Sequence, residues 1–144
     1  MSINPLGEVK YRYRLALEHL ERAKKLFLAK DWVGTILSSK LAVENFAKAV
    51  IAVFDVPTWS HDPSNQLNAL IDRLPVNLIG SLQELAATAK EMVSEHGRAS
   101  YGEPAEGLTP MDIYKEVHAV DALKKAEKAK TISEKAFKRL NVSL

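Results

Sequence analysis

Apolar residues recur along this chain at helical intervals and almost never alternate with polar ones, so the pattern predicts an all-α fold. Tyr13, Ala16, Leu17, Leu20, Ala23 and Phe27 form one stripe on a first helix over about residues 8–29. Asp31 is placed to cap a second helix running to about Phe54, whose Val33, Ile36, Leu37, Leu41, Val43, Phe46, Ala47, Val50 and Ile51 cover most of its circumference. A helix apolar nearly all round must be central, and its polar line holds Lys40, Glu44 and Lys48 at i, i+4 and i+8, where the charges can satisfy one another. Asp62-Pro63 reads as the start of a short third helix that ends at Pro75. Leu78, Leu82, Leu85, Ala86, Ala89, Met92 and Val93 keep the helical period in a fourth helix up to Gly97, which reads as its terminating residue. Gly97 to Leu108 then reads as the longest loop, and Thr109-Pro110-Met111-Asp112 opens a last helix continuing to about Leu140. That helix, about 45 Å long at 1.5 Å per residue, exceeds what the bundle needs, so its basic end is expected to project, fray or pack on another subunit. The expected architecture is an up-and-down bundle of five helices in one domain covering residues 1–144, without internal repeats or linkers.

Composition narrows the chemistry. At 144 residues and 47% hydrophobic content the chain can bury roughly two thirds of its unfolded surface, enough for a core without staples. With no cysteine, disulfides, thiolate metal sites and a catalytic thiol are excluded. No apolar run approaches the roughly 20 residues needed to cross a bilayer, and MSINPLGEVK lacks the apolar stretch of a signal peptide, so a cytoplasmic protein without membrane contact is expected. The net charge of +2 is unevenly spread, with +4 over residues 1–30, −7 over 31–121 and +5 over 122–144. If the basic ends lie side by side they form a face for nucleic acid or another polyanion; otherwise they are solvated helix surface.

None of the four histidines stands in a Glu-x-x-His arrangement, and no His-Glu-x-x-His, phosphate-loop or dinucleotide glycine motif occurs, so neither metal nor cofactor is expected. His61, in Trp59-Ser60-His61-Asp62-Pro63, can hydrogen-bond across the corner before the third helix or serve as a ligand contact or acid/base group. His96 can cap the end of the fourth helix or join Arg98, Ser100 and Tyr101 in contacting a phosphate or base edge.

Three segments, in this order and at these separations, resemble the HEPN family. They are Leu41-Ala42-Val43-Glu44-Asn45-Phe46-Ala47-Lys48-Ala49-Val50, Ser60-His61-Asp62, and Arg98-Ala99-Ser100-Tyr101-Gly102-Glu103-Pro104. The last is similar to an Arg-Tyr-Pro loop of the family, although two residues here separate Arg from Tyr. The resemblance implies a helical bundle that dimerises and associates with nucleotide or RNA. It also implies a nucleotidyltransferase partner or membership of a toxin-antitoxin pair. Nuclease members carry Arg and, after four to six intervening residues, His near the final helices; here Arg98 meets no His before His118. The only formal matches, Arg12 and Arg14 to His19, lie in the first helix, and Lys90 to His96 lacks the planar guanidinium. The resemblance therefore points to a non-catalytic nucleotide- or RNA-binding domain. Ligand contacts are expected at Arg98, Tyr101, His96 and His61, with Glu44 and Lys48 structural or lining the cleft. A metal-independent endoribonuclease using His61 or His96, and a pure protein-interaction module, are the alternatives.

Overall fold

The computed structural model describes residues 5–144; the first four residues, part of the stretch read for a signal peptide, lie outside the described residues. Six helices follow in order: α1 (Pro5–Leu28), α2 (Trp32–Ala52), α3 (Ser64–Ala69), α4 (Val76–Tyr101), α5 (Pro110–Ile113) and α6 (Glu116–Arg139). The fold is an all-α bundle, and its only β-type pairing among the described residues is an isolated bridge between Glu103 and Leu108.

The helix that is apolar on most faces is the one the others surround. α2 packs against α1, α3, α4 and α6, and sixteen of its 21 residues are buried, so it is the axis of the bundle. Asp31 caps it by accepting from the Gly34 N–H at 2.8 Å, as its sequence position predicts. Phe46, fully enclosed at its middle, meets Tyr13 of α1 edge to face with 5.9 Å between ring centres. Across α2, α6 contributes a stripe of Ala119, Ala122, Ala126, Ala129 and Ala136, whose small side chains let the helices approach closely.

Three expectations change. Gly97 does not end α4, because an exposed glycine inside a helix weakens it without stopping it; the helix continues to Tyr101 and stops at Gly102, where φ is +69°. The first five residues of the expected loop, Gly97 to Tyr101, are thus helix, and Arg98 and Tyr101 ride the last turn of α4. The expected fifth helix is two, broken at Tyr114 and Lys115, both extended, because the Tyr114 ring turns inward and its hydroxyl donates to Glu95. α6 accordingly spans about 36 Å, and its basic end does not project. Arg139 bonds Asn77 of α4 at 3.2 Å, and the chain folds back so that Val142 packs against the core.

The basic ends do meet, since α1 and α6 touch and Lys24 reaches Glu127 at 3.4 Å. Much of their charge is nevertheless neutralised in place: Arg12 pairs with Glu8, Arg14 with Glu18, Lys125 with Glu91 and Asp121, and Lys128 with Glu84.

Candidate functional site

The polar line of α2 is enclosed rather than solvated. Lys40, Glu44 and Lys48 are 2%, 6% and 3% exposed, and Glu44 joins them: one carboxylate oxygen accepts from Lys40 Nζ at 2.8 Å, the other from Lys48 Nζ at 3.0 Å. Charges this deep persist only when paired. Burial alone would raise the Glu44 carboxyl, but the hydrogen bonds and charges of the two lysines outweigh it and hold the group below the usual carboxylate range. Two ammonium groups face one carboxylate, so the line carries a net positive charge. Each ammonium has three donors, of which one is bonded to Glu44.

Two histidines from distant parts of the chain roof this line. His61, on the connection between α2 and α3, places Nδ1 3.2 Å from Glu44 Oε1 while most of its ring stays in solvent. His96, on α4, lies nearly parallel to it, with ring centres 6.3 Å apart and planes inclined by 16°. The Nδ1 of His96 is buried without a hydrogen-bond partner. Burial, then the charges of Lys40 and His61, push His96 below its ordinary pKa and favour the neutral ring. His19 of α1 is also lowered: burial first, then Arg22, depresses it, against an opposing pull from Glu44 and Glu18.

These depressed histidines give a pH dependence with a definite sign. In the unfolded chain they take up protons near pH 6.5, whereas folded they resist them, so the unfolded state binds more protons below that pH. Stability is therefore full above about pH 6.5 and declines as the pH falls towards the folded pKa values. Urea midpoints measured between pH 5 and 7.5 should rise with pH. The combined His19→Asn, His96→Asn variant should flatten that rise, and a wild-type midpoint that is level or falls across this window would contradict the burial of these rings.

Of the four expected ligand contacts, the structure joins two. Residues two apart on a helix point about 200° away from each other, so Arg98 cannot share the side of α4 that carries His96. Its guanidinium instead pairs with Glu103 at 2.9 Å and lies 5.9 Å from the centre of the Tyr114 ring. Tyr101, on the same last turn, is 77% exposed. Beside this end of α4 is a cavity of about 380 Å³ lined by Met92, Glu95, Tyr114, Val117 and Asp121 among others, which includes neither His61 nor His96. Lys40 lies just outside the family-like segments, and its signal was the regular i, i+4 spacing on α2; His19, whose signal was its spacing from Arg12 and Arg14, has Arg22 3.4 Å from its Nδ1.

Among the described residues no group of three or more histidine or acidic side chains is arranged to hold a metal ion, and no helix is long and apolar enough to cross a membrane.

Fold and site together define a small helical bundle built around a central helix with an enclosed, net-positive charged line. The sequence model of the HEPN domain matches residues 9–136, nearly the whole chain, and the chain belongs to the HEPN family. No curated protein and no solved structure matches it. The three segments that carried the resemblance fall on α2, on the corner before α3 and at the end of α4.

Proposed function

We propose that this HEPN domain binds the phosphate of a nucleotide or of RNA at the mouth formed by His61 and His96, without cleaving it. The observation that carries this reading is the enclosed line of two lysines and one glutamate directly beneath the two rings. The unbalanced positive charge acts through a medium of low dielectric, where it is felt more strongly than in water. The His61 ring, mostly in solvent, is the group an incoming phosphate reaches first, and His96 lies stacked beside it. Arg98 and Tyr101 stand on another side of α4, where Arg98 pairs with Glu103 of the turn after it. Association as a homodimer, or with a nucleotidyltransferase or antitoxin, belongs to the same proposal, and the exposed Met111 and Val117 near the α5–α6 junction support it.

Calorimetric titration with a nucleoside monophosphate tests the site. Losing one hydrogen bond to a charged phosphate costs about 1.5–3 kcal/mol, so His61→Ala should weaken binding by about 10- to 150-fold while helicity is unchanged. Arg98→Ala should alter affinity by less than about twofold. Wild-type protein that binds no nucleotide, or a His61→Ala variant that binds as well as wild type, would remove the phosphate from this mouth.

A second reading has its own observation. One histidine held neutral beside another resting on a carboxylate is an arrangement suited to moving a proton on and off. In metal-independent RNA cleavage His96 would take the proton of the 2′-hydroxyl as its oxygen attacks phosphorus, and His61 would give a proton to the departing 5′-oxygen. End-labelled RNA incubated with the protein in excess EDTA separates the two: intact RNA supports binding alone, and cleavage abolished by either histidine substitution supports the nuclease.

A further inference from the structure

The segment between α2 and α3 carries a residue that the phosphate site does not use. Trp59 is 94% exposed and has no aromatic or cationic partner among the described residues. A large ring left in water on a flexible loop would mean little, but this loop is braced at every step. The Gln66 carboxamide clamps it from both sides, accepting from the Thr58 N–H at 2.7 Å and donating to the Val56 carbonyl at 2.8 Å. Thr58 Oγ1 accepts from Ser60 N–H, Ser60 Oγ from Asp62 N–H, and Asp62 Oδ1 from Ser64 N–H. Pro57 and Pro63 anchor the ends in the protein. The backbone on both sides of Trp59 is therefore fixed, and the indole is offered to solvent by an ordered frame.

Its position relative to the phosphate mouth is set by the chain itself. Trp59 precedes His61 by two residues, so their Cα atoms lie within about 7 Å. That is the short reach separating base from phosphate inside one nucleotide. We infer that Trp59 is a stacking platform for the base of a nucleotide unit whose phosphate occupies the His61–His96 mouth. This rests on the phosphate reading above and adds to it the recognition of a base, so the ligand class becomes a nucleotide, free or within a single strand, rather than any phosphate. Aromatic rings serve single-stranded nucleic acids in this way because every base has a π-face.

The test is calorimetric titration of wild type, Trp59→Ala and Trp59→Phe with three probes: adenosine monophosphate, ribose 5-phosphate and a single-stranded adenosine tetranucleotide. Because Trp59 packs on nothing, its substitution leaves the fold intact. Stacking is expected to make the monophosphate bind wild type about 5- to 150-fold more tightly than ribose 5-phosphate. Trp59→Ala should erase that difference without changing the affinity for ribose 5-phosphate, and Trp59→Phe should keep most of it. A tetranucleotide that gains further through Trp59 identifies a strand as the ligand, and one that gains nothing identifies the free nucleotide. If ribose 5-phosphate and the monophosphate bind wild type equally, or if Trp59→Ala leaves the preference intact, Trp59 is not the platform while the phosphate mouth stands. If neither binds at all, the phosphate reading itself falls and takes this inference with it.

Discussion

Glu44→Gln should cost the fold about 3–5 kcal/mol, the usual penalty for removing one partner from an enclosed ion pair. The loss is large against a total stability of about 5–15 kcal/mol, and urea unfolding at pH 7 would read it directly. The cause is not a missing contact of average strength. Glutamine fills nearly the same volume, but it leaves Lys40 and Lys48 charged, buried and facing one another across a neutral amide. The companion Lys40→Met, Glu44→Leu, Lys48→Met variant removes all the charge at once. It should match or exceed wild type in stability, since apolar replacements of buried ion clusters are often neutral or stabilising. It should also lose nucleotide binding, which would show that the charged line is kept for its ligand. A Glu44→Gln variant as stable as wild type would mean that water reaches these lysines.

What the sequence made legible were features settled by neighbours along the chain. The charged line of α2 followed from i, i+4 spacing on a helix apolar elsewhere, and the helix starts followed from Asp31 and from Thr109-Pro110-Asp112, whose side chains close the expected caps. What stayed hidden was settled by residues far apart. His61 and His96 are brought together only by packing α4 on α2, so each could be weighed singly but the pair could not be read. The break before α6 has neither glycine nor proline to announce it. It exists because burying Tyr114 with its hydroxyl on Glu95 outweighs two more residues of helix. Grouping Arg98 and Tyr101 with His96 depended on that stretch being a loop; once it is helix, the same residues point apart.

Substituting alanine at two glycines five residues apart should move stability in opposite directions, and the contrast separates a true helix end from an apparent one. At Gly97 a Cβ would meet nothing within 4 Å, and the backbone is helical, so Gly97→Ala should stabilise the protein by about 0.5–1 kcal/mol. At Gly102, φ of +69° with ψ of −146° lies in a region essentially reserved for glycine, where another residue costs about 1–3 kcal/mol. A Cβ there would also stand 2.2 Å from the carbonyl oxygen of Leu108, which is backbone and accepts the Glu103 N–H at 2.8 Å. The clash cannot be relieved by turning a side chain; it must open the pairing of Glu103 with Leu108, and with it the turn that holds Glu103 against Arg98. Gly102→Ala should therefore unfold at lower urea than wild type and expose the amides of Glu103 and Leu108 to hydrogen exchange. Nucleotide affinity should survive, because His61 and His96 lie outside that turn. Were Gly97→Ala the damaging substitution and Gly102→Ala the harmless one, α4 would end where its sequence first suggests.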